Sequence, residues 1–172
     1  MSNIAFTFNH KKAIEVILYL AQNITVHNVY GICKLLYLAD KISLENYGRF
    51  IFGESYVAMK EGSTPSNTYD LMKSIRKQPT DDLKIEDNNV IPLRQADLDY
   101  LSKSDLECLD LVIDKYSKPK DWTGRKNACH DSAWQKAWDA KGSAKSYPIT
   151  IESIAEILQD SDNLIDYLSN SR

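Results

Sequence analysis

Residues 34–59 read KLLYLADKISLENYGRFIFGESYVAM, and this stretch decides the fold because its pattern changes at Gly48. Before Gly48, apolar residues recur at the three- and four-residue spacing of one helical face. The spacing predicts a buried helix from about Thr25 to Tyr47. Glycine commonly occupies the left-handed position that ends a helix, so the helix is expected to stop at Gly48.

The segment that follows has the composition of a β-hairpin. Aromatic and β-branched residues predict strands over residues 49–52 and 55–60, with Gly53 in the turn between them. Residues 61–66 read EGSTPS, are rich in turn formers, and are expected to form a loop. A third helix is predicted over residues 67–76.

The rest of the chain is predicted to be largely helical, because apolar residues recur there at helical spacing. Asn9 is a good N-cap for a first helix that ends near Asn23. Ser104 and Glu107 match the Ser-x-x-Glu pattern of a capping box, which predicts the start of a fourth helix. Further helices are expected at residues 125–128, 132–140, 151–158 and 161–169, and a second hairpin at residues 83–93.

Together these elements predict a mainly α (α+β) fold: a single compact helical domain of about six or seven helices with one or two small β-hairpins. A length of 172 residues suits one domain, residues 1–172, since domains typically run to about 100–200 residues. Hydrophobic residues make up 43% and charged residues 26% of the chain. These values are typical of a globular protein and argue against intrinsic disorder.

Charge and cysteine content narrow the classes of function. The formal net charge is -3 and the pI is about 5.6, whereas general nucleic-acid binders carry a positive excess, so nucleic acid is an unfavoured partner. No apolar run approaches the ~20 residues of a spanning helix, and the N-terminus has no secretory signal, so no membrane association is expected. Three widely spaced cysteines imply no disulfide framework and favour a cytoplasmic location.

Candidate catalytic groups are few. Cys33 and Cys108 lie on apolar helical faces, which favours burial over reactivity. Cys129 and His130 resemble a nucleophile and its base, but adjacent helical side chains point about 100° apart, so a dyad would need a partner from elsewhere in the chain. The sequence has no Cys-x-x-Cys, His-Glu-x-x-His or glycine-rich phosphate loop. We therefore expect no metal, no cofactor and no catalytic residue.

Two charged segments and the tyrosines indicate possible contact surfaces. Residues 114–126 hold five basic and two acidic side chains, a net charge of +3, around Trp122. A solvated surface turn and a nucleic-acid contact both fit that segment, and the turn is favoured. Residues 150–172 hold five acidic and one basic side chain, a net charge of -4, which suits solvated helix faces or a basic partner. Ten tyrosines are many for this length, and tyrosine is favoured at protein interfaces.

The quoted helix and the segments after it also resemble a known family. Five segments carry the likeness: KLLYLADK (34–41), YGR (47–49), IFGESYVAM (51–59), EGSTPS (61–66) and YDL (69–71). They are similar to the Panacea domain, also described as SocA-like or phage-associated GepA-like. Residues 130–137 (HDSAWQKA) resemble the histidine- and tryptophan-containing C-terminal segment of that family. The resemblance covers about residues 25–140, although GSTPS stands where the family often has GPVPS.

The resemblance implies the antitoxin of a toxin–antitoxin system, bacterial or carried by a phage or prophage. It implies a protein that is not an enzyme and that neutralises a cognate protein toxin by direct binding. One branch of the family is described as a proteolytic adaptor that delivers its bound toxin to a ClpXP-type protease, and this is an alternative. We expect the partner-binding residues to be Tyr47, Arg49, Tyr56, Glu61, Pro65, Tyr69, His130 and Trp134. Structural roles are expected for the motif residues Lys34, Tyr37, Asp40, Gly48, Gly53 and Gly62.

Several alternatives stay open at this stage. One is an enzyme that uses Cys129 or His130, and another is a nucleic-acid-binding protein that uses residues 115–126. For two motif residues a structural role competes with binding. Asp40 is suited to a hydrogen bond with the backbone of the hairpin loop, and core packing is the favoured role of Trp134.

Overall fold

The fold was analysed in a computed structural model that describes residues 4–170. Within that range the chain forms eight α-helices and five short strands, and buried apolar side chains from most elements join in one core. The helices are α1 (His10–Asn23), α2 (Val29–Tyr47), α3 (Ser66–Lys77), α4 (Lys103–Tyr116), α5 (Trp122–Ala128), α6 (Ser132–Ala140), α7 (Ile151–Ala155) and α8 (Ser161–Asn170). The strands are β1 (Tyr56–Met59), β2 (Gly62–Pro65), β3 (Leu83–Glu86), β4 (Asn89–Pro92) and β5 (Tyr147–Ile149).

The predicted fold class, mainly α (α+β), is confirmed. The described residues contain eight α-helices, one more than the upper end of the predicted number. The strands form two small antiparallel sheets, one in the order β2-β1-β5 and one made of β3 and β4. No helix in the described part of the chain is long and apolar enough to cross a bilayer.

Helix α2 is the central element and contacts α4, β2 and α3 among others. It begins at Val29 rather than at the predicted Thr25, since residues just before it pair with the β3–β4 hairpin: the Val29 N–H donates to the Asn88 carbonyl and the Val90 N–H donates to the His27 carbonyl. The Asn28 side chain caps the helix. Gly48 ends it with a left-handed φ of 71°, as its sequence position predicted.

The first hairpin is displaced from its predicted position. Its strands are β1 and β2, so the turn lies at residues 60–61, and the predicted loop at 61–66 is mostly strand β2. Residues 49–52 form no strand because their backbone is bonded elsewhere. The Ile51 N–H donates to the Asp40 carboxylate at 2.8 Å, and the Phe52 carbonyl accepts from the Asn9 N–H at 2.8 Å.

Gly53 therefore has a different role from the predicted hairpin turn. It adopts a left-handed φ of 76°, and a Cβ built on it would lie 1.9 Å from the Thr7 carbonyl oxygen. The glycine allows the segment after α2 to pack directly against the segment that leads into α1.

Two further elements differ from their prediction or were not predicted. Strand β5 was missed, since three residues containing a proline carry too little pattern to identify a strand; it pairs with β1, with Tyr56 opposite Ile149. The capping box of α4 uses Ser102 and Asp105 rather than Ser104 and Glu107. The Ser104 hydroxyl instead lies 2.8 Å from the Arg49 guanidinium, from which it accepts a hydrogen bond.

Candidate functional site

The family-like segments meet first in a buried hydrogen-bond network around Asp40. This residue is 1% exposed, and its carboxylate accepts from the Ile51 N–H and, at 2.6 Å, from the Tyr56 hydroxyl. No cation pairs with it among the described residues. Burial of the carboxyl raises the pKa of Asp40 to about 7, against the opposing effect of the two hydrogen bonds.

This raised pKa predicts a pH-dependent stability. Folded Asp40 holds its proton more tightly than unfolded Asp40, so its contribution to stability is full below about pH 4, the unfolded pKa, and is lost as the pH rises through about 7. We expect the melting temperature of the wild type to fall between pH 5 and pH 8. Asp40→Asn, which keeps an acceptor for Ile51, should flatten that slope in calorimetry. Equal slopes for the two proteins would contradict the assignment.

Tyr56 and Pro65, which were predicted to bind the partner, are both buried. Tyr56 is 2% exposed, with its ring edge-on to Tyr37 at 5.0 Å and to Phe50 at 5.4 Å between ring centroids. Pro65 is also buried, at the end of β2. The hydroxyl of Tyr56 donates to buried Asp40, so this polar group is satisfied inside the protein.

His130 and Trp134 hold the turn of the β1–β2 hairpin. The His130 Nε2 lies 3.0 Å from the Lys60 carbonyl, and its Nδ1 lies 2.8 Å from the Lys126 carbonyl. The Trp134 Nε1–H donates to the Met59 carbonyl at 2.7 Å, and the residue is only 9% exposed. This geometry gives both side chains a structural role, tying the hairpin to the corner between α5 and α6.

Asp131 lies between these two residues, and from the sequence it was considered only, together with His130, as half of a metal site. It caps α6 by accepting from the Trp134 N–H, and it also accepts from the Tyr37 hydroxyl at 2.6 Å and the Lys41 ammonium at 3.0 Å. An Asp directly before a helical segment is the signal that would have indicated the cap. Its link to α2 spans more than 90 residues and has no local signal.

Tyr47 is the last residue of α2, and Arg49 follows the C-terminal end of this helix by two residues. The Tyr47 hydroxyl donates to Glu107 at 2.7 Å, and the Arg49 guanidinium pairs with Asp105 at 3.1 Å. Lys34, which lines one groove together with Glu61 and Tyr69, is thirteen residues earlier in the same helix, about 20 Å away at a rise of 1.5 Å per residue. Tyr47 therefore lies far from Glu61 and Tyr69, and the residues predicted to bind the partner do not form one patch.

A groove lies between the N-terminal half of α2 and the β1–β2 hairpin, and we call it the α2–hairpin groove. Its empty volume is about 520 Å³ with its open mouth included. Glu61 and Tyr69, two of the residues predicted to bind the partner, line this groove. Gly62 is the first residue of strand β2, which also contributes to the lining. Sequence reasoning missed exposed Tyr30. The complete lining is Tyr30, Cys33, Lys34, Met59, Lys60, Glu61, Ser63, Thr64 and Tyr69.

The Cys129–His130 pair is not arranged as a nucleophile and base. Cys129 is fully buried, and its thiol points to the Lys34 carbonyl at 3.7 Å, while both His130 ring nitrogens face backbone carbonyls. Burial raises the pKa of Cys129 to about 12 and that of Cys108 to about 11, and it also raises the pKa of Cys33. In residues 4–170 no group of three or more His, Cys, Asp or Glu side chains is placed to bind a metal ion.

The buried thiols predict slow alkylation. All three cysteines are buried, and the thiolate is the reactive form. We expect the native protein to resist iodoacetamide at pH 8, and the protein unfolded in guanidinium to take up three carbamidomethyl groups, as counted by intact mass. Rapid single labelling of the native protein would instead reveal an activated cysteine.

The fold and this site define a class: a mainly helical α+β protein in which a long helix, a hairpin and a helical corner are joined by buried polar contacts beside an exposed groove. The profile of the family described as "Antitoxin SocA-like, Panacea domain" matches residues 32–135, from the first half of α2 into α6. The chain belongs to this family. No curated protein and no solved structure matches this chain.

Proposed function

We propose that this protein is an antitoxin that inactivates a cognate protein toxin by covering it with the α2–hairpin groove. The observation that carries the proposal is the groove itself. Its lining comes largely from the segments that resemble the family, and it also includes the exposed residue Tyr30. Tyr30 is 47% exposed, and tyrosine adds a large apolar contact with a polar tip. The buried thiols described above favour binding over turnover, and a toxin made in the same cell places the complex in the cytoplasm.

The charges at the groove suit a protein partner. The charged residues Lys34, Lys60 and Glu61 line the groove together with the apolar side chain of Met59, and interfaces between proteins combine such apolar and polar contacts. A stable complex needs roughly 800 Å² from each partner, about a tenth of the 9306 Å² accessible surface of this chain. The contact therefore extends beyond the groove, onto the neighbouring helix α3 and the hairpin turn.

Co-expression in bacterial cells with the product of a neighbouring reading frame that stops growth when it is expressed alone tests the proposal. Truncating one aromatic anchor costs about 2 kcal/mol or more, so Tyr30→Ala should weaken toxin binding roughly tenfold to a hundredfold. Adding Glu61→Lys should abolish rescue of growth. Tyr100→Ala is the matched control, since Tyr100 is 45% exposed and lies outside the groove lining.

Binding measured by calorimetry with purified proteins should follow the growth result. Full rescue by the double variant, with wild-type affinity, would remove the groove from the interface. Toxin half-life in the same cells separates masking from delivery to a protease: masking leaves it unchanged or longer, whereas a proteolytic adaptor shortens it in a manner that depends on a ClpXP-type protease.

A further inference from the structure

Arg125, on helix α5, is a buried cation without a counter-ion. The residue is 8% exposed, and its Nε is enclosed with no hydrogen-bond partner. It takes part in none of the ion pairs among residues 4–170. Its guanidinium lies over the ring of Trp122, 5.2 Å from the centroid, and burial lowers the pKa of Arg125. A buried charge in this state is unfavourable until an anion pairs with it.

The first turn of α2 adds positive potential at the same place. A Cβ built on Gly31 would lie 3.6 Å from the Arg125 Nη1, so the guanidinium packs against the helix where glycine leaves room. The N-terminus of a helix of 19 residues carries a partial positive charge. The N–H groups of Val29 and Gly31 donate to a backbone carbonyl and to the Asn28 side-chain oxygen, and both acceptors are neutral.

Lys34 connects this charge to the α2–hairpin groove. It lies one turn after Gly31, lines the groove, and forms no ion pair within the described part of the chain. The positive charges of Lys41, Lys34 and Arg125 oppose the burial-driven rise of the pKa of Cys129, and the negative charge of Asp131 adds to that rise. Lys41 pairs with Asp131, whereas Lys34 and Arg125 form no ion pair among residues 4–170. Of these two cations, Lys34 lines the groove, and Arg125 lies against Gly31, one helical turn earlier in α2.

We propose that Arg125, with Trp122 behind it, is an anion site that takes a carboxylate of the partner protein. The proposal rests on the proposed function, because it supplies a specific contact for the same complex. The planar guanidinium accepts a carboxylate in a paired, two-bond geometry, and a partly dehydrated site strengthens that pair. A single protein carboxylate suits one buried cation, whereas the net charge of -3 disfavours a nucleic-acid strand.

Arg125→Met separates this role from a structural one. Replacing an unpaired buried charge with an apolar side chain of similar length should raise the melting temperature of the isolated protein by a few degrees. The same change should weaken toxin binding at least tenfold. Lys126→Met is the matched control, since it removes one exposed positive charge from the same helix and should leave affinity within twofold.

Nuclear magnetic resonance provides a readout that does not need the toxin. The Nε–Hε signal of Arg125, assigned by its loss in Arg125→Met, should shift saturably when acetate replaces chloride at constant ionic strength. The same signal is followed in two further titrations, one with inorganic phosphate and one with a single-stranded oligonucleotide, to compare these anions with acetate. A toxin-induced shift of the same signal would support the proposal.

Three results would overturn the proposal: a lower melting temperature of Arg125→Met with unchanged toxin affinity, no response of the signal to acetate, or Arg125-dependent binding of the oligonucleotide but not of the toxin. If the wild-type protein fails to bind the toxin, the proposed function fails. A saturable acetate shift that Arg125→Met abolishes would still support the carboxylate site in that case.

Discussion

Gly53→Ala is expected to lower the melting temperature by roughly 10–15 °C, because the added methyl group would clash with the backbone. The added Cβ would lie 1.9 Å from the Thr7 carbonyl oxygen, a backbone atom that cannot rotate away. The residue also has a φ of 76°, which costs alanine about 1–2 kcal/mol before any clash. Relief requires the segment before α1 to move.

That movement would break contacts that hold the start of α1. The Asn9 N–H donates to the Phe52 carbonyl, and the rings of Phe8 and Phe52 meet edge to face at 5.8 Å. The loss of these contacts and the backbone strain together lower the free energy of unfolding by about 4 kcal/mol. For a chain of this size, 1 kcal/mol shifts the melting temperature by roughly 2–4 °C.

Gly124→Ala is the matched control for this prediction. Gly124 lies in helix α5, and a Cβ there would meet nothing within 4 Å. Alanine favours a helix over glycine by up to about 1 kcal/mol, so the melting temperature should stay the same or rise slightly. Equal melting temperatures for Gly53→Ala and the wild type would show that the packing around Gly53 is wrong.

Elements with local signals could be predicted from the sequence. The caps Asn9 and Gly48 fixed one end each of α1 and α2, and α3 and the second hairpin were placed within about two residues. In the β3–β4 turn, Asp87 and Asn88 adopt the positive φ values expected of an asparagine-rich turn. Such signals lie within a few residues of the element that they define, which is why they can be identified without tertiary information.

Elements that depend on distant contacts could not be placed in the same way. Residues 49–52 have strand composition, but Asp40 and Asn9 bond their backbone and leave the strands to residues 56–59 and 62–65. The capping box at Ser102 also lies in a distant contact, since Arg49, more than 50 residues earlier, donates to Asp105 of the box and to the Ser104 hydroxyl.

The candidate site also contains residues whose positions follow from local sequence and residues whose positions depend on distant contacts. Glu61, Tyr69 and Tyr56 were all predicted to bind the partner; Glu61 and Tyr69 line one groove, whereas Tyr56 is buried. A tyrosine ring suits either environment, and what decides is the acceptor for its hydroxyl, here Asp40, sixteen residues earlier in sequence. Arg125 carried no signal beyond membership of a basic segment, because burial without a counter-ion is a property of the folded chain alone.

Glu54→Ala is expected to lower the melting temperature by about 10 °C through the loss of a helix cap supplied from another segment. Glu54 is 1% exposed, and its carboxylate accepts from the N–H groups of Ser55, Asn67 and Thr68 and from the Thr68 hydroxyl. The residue before α3, Pro65, supplies no side-chain cap. The carboxylate thus satisfies the first turn of α3 and complements its positive end.

Removing this side chain leaves buried donors without an acceptor, at a cost of about 3 kcal/mol or more. Glu54→Gln keeps one acceptor oxygen but loses the charge, and should fall between Glu54→Ala and the wild type. Glu61→Ala is the matched control, because Glu61 is exposed and forms no ion pair within residues 4–170. Thermal unfolding followed by circular dichroism measures all three variants. If Glu54→Ala unfolds within 2–3 °C of Glu61→Ala, the first turn of α3 does not depend on this carboxylate, since 1 kcal/mol corresponds to roughly 2–4 °C.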